Sequence, residues 1–172
     1  MANISFLNIV NYLEALSENH ADVKGHFRWN VNEVTGAIRS GIELPVALID
    51  PVETQSSGSN TTPLIHNNTT AFTVVGKPNT KTGNLDDYAA QNEVLEYCQR
   101  ICFEFQNRIL HDASLPRING EKNWLYGLVD KNSFHFFKVG PLFSDGLYGY
   151  RCELTLKSKV ITEVDNAKWS DL

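Results

Sequence analysis

From Leu85 to about Leu110 the residues Val94, Cys98, Ile101, Cys102, Phe105 and Ile109 fall on one stripe of a helical period, widened by Leu95 and Tyr97. A helix of that length reaches roughly 37 Å, long enough to lie across a whole sheet. A chain of 172 residues has room for one compact domain around such an element. The rest of the domain must therefore arrange itself against this helix. Asp86 and Asp87 occupy the expected first turn, where carboxylates oppose the positive end of the helix dipole. Glu96–Arg100 and Glu104–Arg108 are i, i+4 pairs in the favourable orientation.

A shorter helix is predicted from about Ile4 to Glu18, with Phe6, Ile9, Val10, Leu13 and Leu16 on one face and Asn3 or Ser5 as N-cap. Two strands follow, His26–Trp29 and Leu44–Ile49, separated by the turn-rich stretch from Asn30 to Gly41. Pro45 has no N–H for a ladder, so it belongs at the start or edge of its strand. A β-rich run, Ala71–Val75, precedes the long helix, after a polar loop from Asn79 to Asn84. Beyond that helix, Trp124–Val129 and Phe134–Val139 flank the turn signal Asp130-Lys131-Asn132 and predict a hairpin. After a second turn at Ser144-Asp145-Gly146, Leu147–Leu156 alternates. Tyr148, Tyr150, Cys152, Leu154 and Leu156 share one face, and Gly149, Arg151, Glu153 and Thr155 the other. The order α-β-β-loop-β-α-β-β-β predicts an α+β, two-layer sandwich. Its sheet is mainly antiparallel, with the N-terminal helix and the one long central helix on one face. Residues 1–156 form the expected single domain, and 157–172 a polar tail, poorly ordered unless a partner holds it.

The segment Glu53–Thr70 stands apart. Eight of its 18 residues are Ser or Thr and three are Asn, and no Asp, Glu, Lys or Arg occurs from Thr54 to Gly76. Such a stretch has little apolar surface to offset the entropy of ordering it, and it predicts a long mobile loop at 53–70.

Composition excludes several function classes. Fifteen Lys and Arg against 20 Asp and Glu leave a net charge of -5 and no basic run, which argues against a protein that grips nucleic-acid phosphates. No apolar stretch approaches the roughly 20 residues of a membrane span. The N-terminal segment lacks a basic n-region and a signal-peptide core, which predicts a protein made in the cytoplasm. Cys98, Cys102 and Cys152 are odd in number, and Cys98 and Cys102 lie on the apolar stripe. They read as small buried hydrophobes rather than as a disulfide framework or metal ligands. The Asn-x-Ser/Thr matches at Asn3, Asn60, Asn67 and Asn68 have no use without secretion.

The motifs of nucleotide-binding loops, nucleophile elbows and zinc hydrolases are all missing. His20, His26, His66, His111 and His135 are scattered singly, and His111 at a helix end suits a cap better than a catalyst. No catalytic residue, metal or cofactor is predicted. Phe134, Phe136 and Phe137 put rings on both faces of one strand, which marks its outer face as a candidate interface.

With its N-terminal helix, the strand Leu44-Pro45-Val46-Ala47-Leu48-Ile49-Asp50-Pro51, the polar insertion, the long helix and a last strand reading Gly146-Leu147-Tyr148-Gly149-Tyr150-Arg151-Cys152-Glu153-Leu154-Thr155-Leu156, the chain resembles the tail-terminator and neck-completion proteins of tailed bacteriophages. The resemblance spans Ile4 to Leu156 and is one of element order and texture, without a short invariant motif. It implies a non-enzymatic virion protein of the tail or neck, made in the bacterial host's cytoplasm. It also implies a self-assembled ring, a hexamer foremost, that joins the tail tube to the head and contacts tail-tube and neck or connector proteins. DNA would pass its channel without sequence-specific binding, past a wall that an acidic chain suits. The interface residues it implies are Gln55, Ser56, Asn60, Thr61, Leu64, Ile65, His66 and Asn67 of the loop, with Phe134, Phe136 and Phe137 near a subunit contact.

Two other classes fit the same residues. One is a small monomeric binding domain or enzyme with a site between sheet and helices, for which His26, Arg28, Glu43 and His135 are the polar candidates. The other is an adaptor that uses the insertion for strand addition to a partner.

Overall fold

The computed structural model describes residues 4–28, 41–59, 62–79, 87–142, 146–160 and 164–171. Helix α1 spans Phe6–Asn19, with Ser5 as N-cap accepting from the Asn8 N–H through its side chain. Strands β1 (His26–Arg28), β2 (Val46–Ile49), β3 (Glu53–Ser59) and β4 (Thr62–Gly76) follow. Helix α2, Tyr88–Ser114, is 27 residues long and is capped by Asp87, whose side chain accepts from the Ala90 N–H. A small ribbon of β5 (Arg117–Ile118) and β6 (Glu121–Lys122), then β7 (His135–Leu142) and β8 (Leu147–Lys159), complete the order, with a short 3-10 turn at Asn166–Lys168. Of the sequence expectations, those on Trp29, on the turn-rich stretch from Asn30 to Ser40, on the polar loop from Thr80 to Asn84, on Asp86 and on Ser144-Asp145 lie outside the described residues.

The main sheet runs β1-β2-β4-β8-β7, with β3 also on β4. Among the described residues only β1–β2 is parallel; the other pairings are antiparallel. The two α-helices of the described residues lie on one face, so the α+β architecture read from the sequence is the one found. Period-two alternation explains the layer: Ala47, Ile49, Phe72, Val74, Cys152, Leu154 and Leu156 point to the helices and join Ile9, Leu13, Cys98, Ile101, Phe105 and Ile109 in one buried core. A second, smaller cluster of Val46, Leu48, Val75 and Leu147 sits under Phe27, Ile42 and Leu44 on the opposite face. Pro45 immediately precedes β2, where its missing N–H removes nothing from the ladder.

Three expectations need correction. The segment 53–70 is not a loop: its residues form most of a hairpin, β3 against β4, in the register Glu53↔Thr69 to Ser59↔Thr62. Polar side chains satisfy one another across the ladder. Thr54 Oγ1 donates to Asn68 Oδ1 at 2.8 Å, Asn67 Nδ2 to Ser57 Oγ at 2.8 Å, and the Ser59 N–H to Thr62 Oγ1 at 2.9 Å. Strand β8 backs the hairpin by pairing β4 as far as Ile65↔Lys159. Backbone pairing, not apolar burial, thus orders the stretch. Second, Trp124–Val129 is not a strand. Its turns are pinned by Asn123, whose Nδ2 donates to the Asp112 and Leu115 carbonyls at 2.7 Å each and whose Oδ1 accepts from the Leu125 N–H. It touches the sheet at its end, where the Leu128 carbonyl accepts from the Lys157 N–H at 2.7 Å and Val129 forms a bridge to Leu156. Phe134 consequently precedes its strand, and the hairpin is β7–β8. Third, β8 continues past Leu156 to Lys159, so the expected polar tail begins inside the sheet.

Candidate functional site: a polar arm and two open sheet edges

Strands β2 and β3 lie end to end along the same side of β4, with Asp50, Pro51 and Val52 between them. Because the helices cover the half of β4 that carries Phe72 and Val74, the half from Thr62 to Thr69 projects with β3 and the end of β8 as a three-stranded arm. Every residue of β3 is exposed. Cross-strand partners set the arm's two faces. Gln55 with Asn67 and Ser57 with Ile65 lie on the face away from the helices, and Ser56 with His66 lies on the helix side. Leu64 is 39% exposed. Its Cδ1 lies 3.3 Å from where a Cβ on Gly58 would stand, so it leans over β3. The structure therefore brings Gln55, Ser56, Leu64, Ile65, His66 and Asn67 together on one arm. Asn60 and Thr61 lie outside the described residues.

The aromatic candidates lie at the other side of the sheet. Phe136 faces the helices and meets Phe103 of α2 edge-on at 4.9 Å, while Phe134 stacks on Phe136 at 6.4 Å. Phe137 points to the opposite face, beside His135 at 5.2 Å and under the Arg151 guanidinium at 6.0 Å. With β3 and β7 on opposite sides of the paired strands β4 and β8, the two candidate sets form two separate surfaces. Among the described residues, neither the outer edge of β3 nor that of β7 meets another strand.

On the helix-free face, Arg151 is held by Asp50 through two bonds, Nη1–Oδ1 at 2.9 Å and Nη2–Oδ2 at 2.5 Å, and also contacts Glu153 and Thr73. The Asp50 hydrogen bonds outweigh burial and raise the guanidinium's pKa further. A recess of about 310 Å³ opens beside it, lined by Asp50, Glu53, Thr69, Thr70 and Glu153. Alternation along β8 places Arg151 and Glu153 on this face, but nothing in the sequence pairs Arg151 with Asp50.

Two polar clusters border a cleft of about 200 Å³ between α1 and α2. In one, His20 Nε2 and Glu104 Oε2 are 2.9 Å apart, His20 Nδ1 accepts from the Asp22 N–H, and Arg100 bridges Asp22 and Glu104. The acceptor role of Nδ1 puts the ring proton on Nε2, toward the carboxylate. Ligand atoms of His20, Asp22 and Glu104 lie within 4.8 Å of one another, yet each already has a protein partner. In the other cluster the Tyr12 hydroxyl donates to Asp112 at 2.9 Å, and Arg108 Nε and His111 approach the same carboxylate. Burial raises the Asp112 pKa, but the hydrogen bonds from Arg108, His111 and Tyr12 outweigh it, and the net shift is downward. Burial first, then the neighbouring Asp112 charge, pushes the Tyr12 phenol well above its ordinary value. His111 sits in the last turn of α2, at the negative end of the helix dipole, with its Nδ1 3.2 Å from Asp112 Oδ1.

The four residues proposed for an intramolecular site do not converge. His26 lies on β1 and His135 on β7, at opposite ends of the strand order; Arg28 is paired with Glu14 at 2.7 Å, and Glu43 is exposed before β2. The three cysteines are buried and reduced. Burial pushes the Cys98 and Cys152 thiols up to about 12. No helix among the described residues is long and apolar enough to cross a membrane. Compared with known proteins, the chain matches no protein-family model and none of the curated proteins.

Proposed function

We propose that this chain is a ring-forming structural protein of the head–tail junction of a tailed bacteriophage, acting as a tail terminator or neck component. The observation that carries the reading is the β3–β4 arm. It extends a polar strand edge, charged only at Glu53, beyond the helical layer, on the opposite side of the sheet from an open edge at β7. A subunit with two different edges is suited to head-to-tail contacts, which close into rings when the rotation between neighbours permits. The element order supports the place in the virion, and the net charge of -5 suits a channel wall along which DNA slides. Homo-oligomerisation, with a hexamer foremost, and contacts to tail-tube and connector proteins belong to the same reading.

Native mass spectrometry and light scattering at high protein concentration, alone and with tail-tube protein added, test it. A closed oligomer with a single stoichiometry is the expected result. A strict monomer under all of these conditions overturns the reading.

A further inference from the structure

We propose that the outer edge of β3 in one copy pairs with the outer edge of β7 in the next copy, so that the sheet continues from subunit to subunit around the ring. The proposal rests on the ring reading and specifies its contact.

Exposed edges invite strand addition, and natural sheets guard them with lysine, proline, bulges or a covering element. From Thr54 to Ser57, ahead of the register shift at Ser57–Ser59, β3 has no charge, no proline and no described strand beyond it. Its regular part, Glu53–Ser57, matches the regular part of β7, His135–Val139, which ends at a register shift before Pro141 is reached. The occupant follows from charge and from faces. The single charged residue of β3 is Glu53, while β7 carries Lys138 and His135 and no acid; Glu53 and His135 both lie on the helix-free face, and Lys138 on the helix side. A continued sheet keeps its helix side on one side throughout. Leu64, leaning over Gly58 on that side, would then meet the partly exposed Phe134–Phe136–Phe103 cluster that flanks β7. A symmetric β3–β3 pair would instead leave that cluster and the β7 edge open, and would stop at a dimer.

The native thiols are all buried, so an introduced surface cysteine is the accessible one. Thr54→Cys or Ser56→Cys, each in its own preparation, is mixed with Lys138→Cys at a concentration where the parent protein assembles, and then mildly oxidised. Circular dichroism checks that each variant keeps the parent fold. The expected product is the mixed disulfide, in clear excess over either self-disulfide. A Ser56→Cys, Lys138→Cys double variant should give a covalent ladder that ends at the ring number. Self-disulfides at position 54 or 56 in place of mixed ones overturn the proposal in favour of symmetric pairing. A ring by mass that yields no mixed disulfide overturns the β3–β7 contact alone, and a monomer overturns the ring reading with it.

Discussion

Arg151 and Asp50, 101 residues apart in the chain, meet on the helix-free face of the sheet in a two-bond guanidinium–carboxylate pair, with each side chain 19% exposed. The pair joins the end of β2 to the middle of β8 across β4, where the Thr73 hydroxyl adds a third contact. Removing one partner of a buried ion pair leaves the other uncompensated, at about 3–5 kcal/mol when fully enclosed. With partial exposure, Arg151→Met is expected to cost about 2–3 kcal/mol. Arg151→Lys should recover only part of that, because an ammonium cannot reproduce the planar two-bond geometry. Urea titrations of the three proteins measure both numbers. A loss below about 0.5 kcal/mol for Arg151→Met would assign the pair no more than a surface ion pair's worth.

At Gly149, strands β4 and β8 leave no room for a side chain. A Cβ built there would stand 2.0 Å from the Val74 carbonyl oxygen and 2.9 Å from Val75 Cα, both backbone atoms that cannot rotate away. Gly149→Ala therefore has to separate the two strands that pair over the longest stretch of the sheet. The expected outcome is a variant that is insoluble, or destabilised by more than about 3 kcal/mol. Gly120→Ala is the control: its φ is +84° but no atom lies near the new methyl group, so the cost is the left-handed strain alone, about 1 kcal/mol. Equal thermal shifts for the two variants would contradict the packing argument.

The thiols supply a test at alkaline pH. Only a thiolate attacks a disulfide reagent, and burial holds Cys98 and Cys152 up at about 12, from an ordinary 9.0, with Cys102 raised as well. The native protein at pH 8 should release no thionitrobenzoate from Ellman's reagent over minutes, and the denatured chain should release three equivalents. Groups whose folded pKa lies above the unfolded value contribute stability that is complete below the unfolded value and is lost as pH rises through the folded one. Stability should accordingly fall between about pH 9 and 12. Cys98→Ala should shallow that slope in a pH series of urea midpoints.

What the residues reveal in one dimension depends on where the partner lies. The stripe of Cys98, Ile101, Cys102, Phe105 and Ile109 specifies α2 because its partner surface is apolar and continuous. The alternation of Cys152, Leu154 and Leu156 specifies the buried face of β8 for the same reason. Thr54 and Asn68 carry no such signal. They stabilise a hairpin by bonding each other, and a polar residue paired with a polar residue looks like loop composition until the register is known. Hydrophobic periodicity also misassigns Trp124–Val129, where Leu125 is buried from a turn because Asn123 ties that turn to the end of α2. Of the candidate interface, the polar half is legible as an oddity of composition and the aromatic half as a two-sided strand. Their placement at opposite edges of one sheet depends on strand order, which neither segment encodes alone.

Asp112 links the two helices and sets the behaviour in acid. It is buried, accepts from Tyr12 of α1 and from Arg108 of its own helix, and its own backbone carbonyl receives Asn123. Its folded pKa lies below the ordinary 3.8: burial works against the charged form, and the hydrogen bonds from Arg108, His111 and Tyr12 more than offset it. A depressed carboxyl contributes stability that is present above its unfolded pKa and is lost as pH falls through the folded value. Asp112→Asn keeps the shape but cannot accept through its amide nitrogen, and Arg108 is largely solvent-exposed. The expected cost near neutral pH is therefore about 1–2 kcal/mol, toward the lower end for hydrogen bonds to a charged group. The difference between parent and variant should begin to shrink as pH drops below 3.8, where the unfolded chain's carboxyl takes up its proton first, and be lost as pH falls through the lower folded value. Tyr12→Phe should raise the parent's acid midpoint by removing one of the bonds that hold the charge. A parent–variant difference that stays constant from pH 7 to pH 2 would show that the Asp112 charge contributes nothing and that packing alone joins α1 to α2.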